Sequence, residues 1–150
     1  MALASALSNQ NGKPVQLLSF PIKLGDWALR VLAAGGVGAM GGIHLYLWDS
    51  VGYRYQATIG ALFMLDVVLS AVFALAILLT PRRFVAIATL SSGVLVAGTI
   101  IAQVISVSVG LFGFVDSIDA PMARAAIGVE GLALLLLLAA AYVVPHGEKS

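Results

Sequence analysis

The 150-residue chain has no cysteine, which excludes disulfides, thiolate metal sites and thiol nucleophiles. It is also poor in charge. Lys, Arg, Asp and Glu make up 10% of the residues, against roughly 25% in an average soluble domain. The formal net charge of +1 gives no reason to expect a nucleic-acid partner. No nucleophile triad, phosphate loop or zinc-hydrolase motif is present, so no catalytic motif marks the chain as an enzyme. Residues 1–25 lack the charged start, continuous apolar middle and small-residue cleavage site of a secretory signal. They read as a cytoplasmic tail. Residues 15–24 are expected to lie along the membrane surface or to remain without structure, with Asp26 capping the helix that follows.

What is abundant is apolar side chain: 61% of the residues, with a mean hydropathy of +1.04. Four apolar runs, 27–48, 57–79, 83–112 and 122–144, each reach or exceed the roughly 20 residues that cross a bilayer. Their connections are short, so neighbours in sequence must run antiparallel. The expected fold is all-α: an integral membrane bundle of four antiparallel transmembrane helices over residues 26–145, with a short tail at 146–150. Pro121 is expected in the first turn of the fourth helix, and Pro145 at its end. Lys13, Lys23, Arg30, Arg82, Arg83 and Lys149 gather at one side. Arg54 and Arg124 stand at the other with Asp49, Asp116 and Asp119. By the positive-inside rule both termini are expected in the cytoplasm of a multi-pass bacterial plasma-membrane protein, with loops 49–56 and 113–121 outside.

Depth concentrates attention on four side chains. Counting inward from the outer ends at 1.5 Å per residue, His44 lies roughly 6 Å, and Asp66, Gln103 and Glu130 roughly 13 Å, below the interface. They come from four different helices. Thr58, Ser106 and Tyr46 lie near the same level. An ionisable group inside a span is expensive, by several kcal/mol on the milder scales, so Asp66 and Glu130 point to a pairing or a function. Three uses fit the set: a metal site built on His44, Asp66 and Glu130, a proton relay, or hydrogen bonding to the head of a quinone or lipid. The alternative is structural, with the polar groups holding the bundle together. The metal pattern is weak, because no helix carries His-x-x-x-His or Glu-x-x-His. Haem is not expected within one chain, since the second histidine, His146, lies at the opposite side of the membrane from His44.

Small residues four apart at Ala34, Gly38 and Gly42, and again at Gly35 and Ala39, give the first helix a face for close packing. Gly93, Ala97 and Gly98 of the third helix would suit it, with packing inside the chain preferred to homo-oligomerisation. Leu132 to Leu138 reads as a surface toward lipid or a partner. In the first loop Tyr53, Arg54 and Tyr55 follow Asp49, and Arg54 beside Asp49 is expected to close a lid over His44.

The strings His-Leu-x-Leu-Trp from His44, Gly-Tyr-Arg from Gly52, Thr-Ile-Gly-x-Leu-Phe from Thr58 and Gly-Leu-Phe-Gly-Phe from Gly110 resemble a group of small, uncharacterised four-helix membrane proteins of high-GC bacteria. The resemblance covers residues 27–144. It implies the four-span architecture and attention to His44, Tyr53, Arg54, Asp66 and Glu130, and brings no activity with it. Two functions lead: an accessory or structural subunit of a larger membrane complex, ranked first, and a ligand-, proton- or metal-binding protein using the outer polar layer. A transporter ranks third, because inverted repeats and broken spans are absent. Expected partners are membrane lipids and other membrane subunits or a second copy of the chain.

Overall fold

A computed structural model describes residues 19–146. In hydrocarbon every backbone amide must be satisfied within its own segment, so apolar runs of this length become helices. Four are formed: α1 (Ser19–Tyr46), α2 (Ala57–Leu79), α3 (Val85–Ser108) and α4 (Ala123–His146). Each contains a stretch long and apolar enough to cross a membrane. The fold is therefore a multi-pass, all-α bundle with alternating helix directions. α1 lies against both α2 and α4, α3 lies against α4, and the α2–α3 seam is the most thinly packed of the four. The end of the bundle with loops 47–56 and 109–122 is termed the loop end. The end with the short connection around Arg82 is termed the turn end.

The core runs through small and branched residues: Ala33, Ala34, Val37 and Met40 of α1 meet Ile77, Val96, Ala133 and Leu137. Outside, Leu132, Leu135 and Leu138 are exposed while Leu137 is buried, so one face of the leucine run looks to lipid and the other to the core. Close helix approach falls on different glycines from those expected. A Cβ on Gly36 would meet the Ala133 Cβ at 3.0 Å, and one on Gly41 would meet the Ser70 Cβ at 2.7 Å. Gly38 and Gly42 have no such neighbour within 4 Å, and both face outward with Gly35. The expected internal partner for the Gly38/Gly42 face is therefore corrected. Gly41→Ala is expected to destabilise the bundle by about 1–3 kcal/mol through overpacking, whereas Gly38→Ala is expected to be neutral or stabilising by up to ~1 kcal/mol. Unfolding in mixed micelles distinguishes the two.

Several helix ends also differ from expectation. α1 already begins at Ser19, so Asp26 lies inside it and pairs with Arg82 (Nη2 to Oδ2, 2.6 Å) instead of capping it. The remainder of the expected tail, 1–18, and residues 147–150 lie outside the described residues. α3 stops at Ser108 rather than 112, because Gly110 takes a left-handed turn (φ 87°) and its N–H returns to the Ile105 carbonyl at 3.0 Å. Pro121 does not open α4: Met122 adopts φ 64° and the helix starts at Ala123. At its far end α4 continues through Pro145 to His146.

Two arginines close the turn end. The last carbonyls of a helix have no partner of their own. Arg30 supplies donors to three of them, through Nε to Ile77 O (2.8 Å) and Nη2 to Leu78 O (2.9 Å) and Thr80 O (2.6 Å). Arg82 Nε does the same for Val144 O at 2.8 Å. Part of the basic cluster at this end thus ties α1 to α2, and the second connection to α4.

Candidate functional site

The loop end holds a cavity of about 120 Å³ among all four helices, against the roughly 10–15 Å³ that one water needs on the same measure. It has room for several waters or for the head of a small ligand. α1 contributes His44, α2 Phe63 and Asp66, α3 Thr99, Gln103 and Ser106, and α4 Glu130. The four residues singled out by depth therefore do line one space.

The close crossing at Gly41 explains the first contact. With no Cβ there, α1 approaches α2 closely enough for His44, one turn on, to reach Asp66: Nδ1 to Oδ2 is 3.2 Å. The same nitrogen lies 3.0 Å from Met40 O. The Met40 carbonyl can only accept, so Nδ1 carries the hydrogen. Ser70 donates to Asp66 Oδ2 at 3.4 Å, and the His44 ring tilts on Phe63 with centroids 5.0 Å apart. Across the cavity Glu130 is 1% exposed, and Thr99 and Asp66 line the same space. Gln103 donates its amide to Ala123 O at 3.1 Å, fixing the start of α4. Among the described residues that line the cavity, three buried polar atoms have no partner: Asp66 Oδ1, Glu130 Oε2 and Ser106 Oγ.

Tyr53 forms the lid. Its short helical turn lies directly on Gly60, where a Cβ would meet Tyr53 O at 2.7 Å. The ring packs edge-on against Phe63 and Phe114, with centroids 4.9 and 5.5 Å apart. Its hydroxyl donates to Asp116 Oδ1 at 3.3 Å, joining the two loops over the cavity. Burial, followed by the Asp116 charge and hydrogen bond, pushes the phenol up to about 12 from 10.0. The lid bond is thus fully present below pH 10 and is lost as pH rises through about 12. Arg54 is not part of this lid: it binds Asp49 (2.6 Å) and Tyr55 (3.1 Å) on the exposed side. Tyr46 and Thr58 are likewise exposed and do not line the cavity.

The geometry narrows the chemistry. Among the described residues no three His, Asp or Glu side chains gather as a metal site, so the His44, Asp66 and Glu130 metal centre is not assembled. Ser106 Oγ has no hydrogen-bond partner, so it is not paired with His44 as a nucleophile with its base. His146 is the last residue of α4, at the turn end of the bundle and away from His44. A preformed apolar pocket with a few convergent polar groups is suited to binding. Thr99 and Phe63 were not singled out from sequence, although Thr99 precedes Gln103 by one turn and Phe63 precedes Asp66 by three residues. No family model, curated protein or solved structure matches the chain.

Proposed function

We propose that the chain binds the polar head of a small amphipathic molecule in the loop-end cavity, as a multi-pass protein of a bacterial plasma membrane. One observation carries this reading: unpartnered, buried polar atoms from α2, α3 and α4 line a single cavity. Such groups are costly when left unsatisfied, and a purely structural layer would be expected to satisfy itself. Access from lipid is supported by Leu62, which lines the cavity and is 41% exposed beside the thin α2–α3 seam. Arg30, Arg82 and Arg83 at the turn end support a cytoplasmic placement of that end and of both termini. At the loop end Arg54 and Arg124 are each paired with an aspartate. The bacterial setting rests on the resemblance of the loop strings alone.

The test is mass spectrometry of the intact protein released gently from membranes. A bound small molecule is expected on the wild type and absent after Ala126→Leu, which fills part of the cavity while leaving every charged side chain in place. Equal occupancy in both, or none in either, contradicts the reading. The accessory-subunit reading keeps one supporting observation, the outward-facing Gly35, Gly38 and Gly42 of α1. Other chains held after mild extraction, and released by Gly38→Leu, are what it requires.

A further inference from the structure

The donor and acceptor inventory of the cavity names a ligand class. Its titratable lining consists of Asp66 from α2, Glu130 from α4, Asp116 and Tyr53 from the loops, and His44 from α1; the polar side chains that α3 adds are Thr99, Gln103 and Ser106. Among the described residues no Lys or Arg lines it. Its main donors are already engaged: His44 Nδ1 with Met40 and Asp66, Gln103 with Ala123, Tyr53 with Asp116, and the Thr99 hydroxyl with Val96 O at 2.7 Å. The unpartnered atoms are two carboxyl oxygens and one hydroxyl, on side chains that are 5%, 1% and 6% exposed. Acids therefore outnumber the one base, and free acceptors outnumber free donors.

We propose, resting on the binding reading above, that the ligand carries a cationic, N–H-bearing head on an apolar body: an amphipathic protonated amine. Its N–H groups supply the donors that Asp66 Oδ1 and Glu130 Oε2 lack, and its charge offsets theirs in a medium where an unpaired charge is expensive. Phe63, Tyr53 and Phe114 complete the fit, because ring faces attract a cation within about 6 Å. The apolar body leaves past Leu62 into lipid through the α2–α3 seam. A quinone is a poorer match: its carbonyls are acceptors facing acceptors. Protons and the amine are alternative partners for the same carboxyls, so acid weakens binding. Protonation of His44 or Asp116 acts in the same direction.

The experiment measures saturable binding of decylamine, decyltrimethylammonium, decanol and decanoate to the full chain in phosphatidylcholine nanodiscs, with empty nanodiscs as the partition control. Decylamine is expected to bind at least about tenfold more tightly than the other three, and Glu130→Gln and Asp66→Asn are each expected to weaken it about tenfold or more. Should a variant fail to fold, the wild type alone suffices: affinity is expected to fall as pH drops from about 8 to about 5, where an alkylamine, like lysine at about 10.4, stays charged. Decanol or decanoate binding as tightly as decylamine, or pH-independent amine binding, overturns the cationic assignment while leaving the cavity a binding site. No saturable binding by any of the four overturns the assignment and, if wild type and Ala126→Leu are also extracted with equal small-molecule occupancy or none, the binding reading with it.

Discussion

Glu130→Leu is expected to stabilise the bundle by about 1–3 kcal/mol while abolishing amine binding. The reasoning starts from the cost of the carboxyl. Glu130 is 1% exposed and its Oε2 has no partner, inside a span where a charged side chain costs roughly 2.5–3.5 kcal/mol on insertion scales. Replacing buried ionic groups with well-packed apolar ones is often neutral or stabilising by about 1–4 kcal/mol. Leucine also leaves the neighbouring hydroxyl satisfied, because Thr99 can keep its bond to Val96 O. Reversible unfolding in mixed micelles gives the stability, and decylamine binding in nanodiscs gives the function. If the variant instead loses more than ~2 kcal/mol, Glu130 is a structural clasp and the site reading is wrong.

The second large effect lies at the opposite end. Arg30→Ala should cost about 3 kcal/mol, because one guanidinium, 9% exposed, donates to three carbonyls at the end of α2. Hydrogen bonds to a charged group contribute roughly 1.5–3 kcal/mol each, and they do not add fully. Alanine leaves the Ile77, Leu78 and Thr80 carbonyls without that donor. Lysine, which has no fork, is expected to recover less than half of the loss. Arg54→Ala is the control: its pair with Asp49 is exposed at 39% and 59%, and exposed pairs contribute roughly 0–1 kcal/mol. Equal losses for Arg30 and Arg54 would refute the end-cap account.

The four spans were legible because hydrophobic length is a one-dimensional signal, and α2 matched its expected limits. Depth was legible too, since rise per residue converts sequence position into height. That is why the sequence alone places His44, Asp66, Gln103 and Glu130 in one layer. Facing was harder. In an aqueous protein the polar face of a helix points outward and fixes its rotation, whereas here Leu138 toward lipid and Leu137 toward the core are chemically alike. For the same reason Gly38 and Gly42 were indistinguishable by sequence from Gly36 and Gly41, which alone of the four meet a neighbouring helix. The lid was misread between adjacent residues, Arg54 for Tyr53. Charge suggested the arginine, but the short helical turn on Gly60 directs the tyrosine inward and leaves the arginine outside. Boundaries failed where a backbone dihedral decided them, as at Met122 and Gly110.

The central claim is that the meeting place of His44, Asp66 and Glu130 is an accessible cavity and not a sealed polar seam. The natural absence of cysteine allows a direct measurement. Ala126 lines the cavity, and Ala133, two turns further along α4, is packed against Gly36 in the core; they are 5% and 0% exposed. Thiol modification requires the thiolate, and so a polar, reachable environment. Under a small methanethiosulfonate reagent, Ala126→Cys is expected to react, and to be protected by decylamine, while Ala133→Cys stays inert. Equal inertness at both positions would contradict the account.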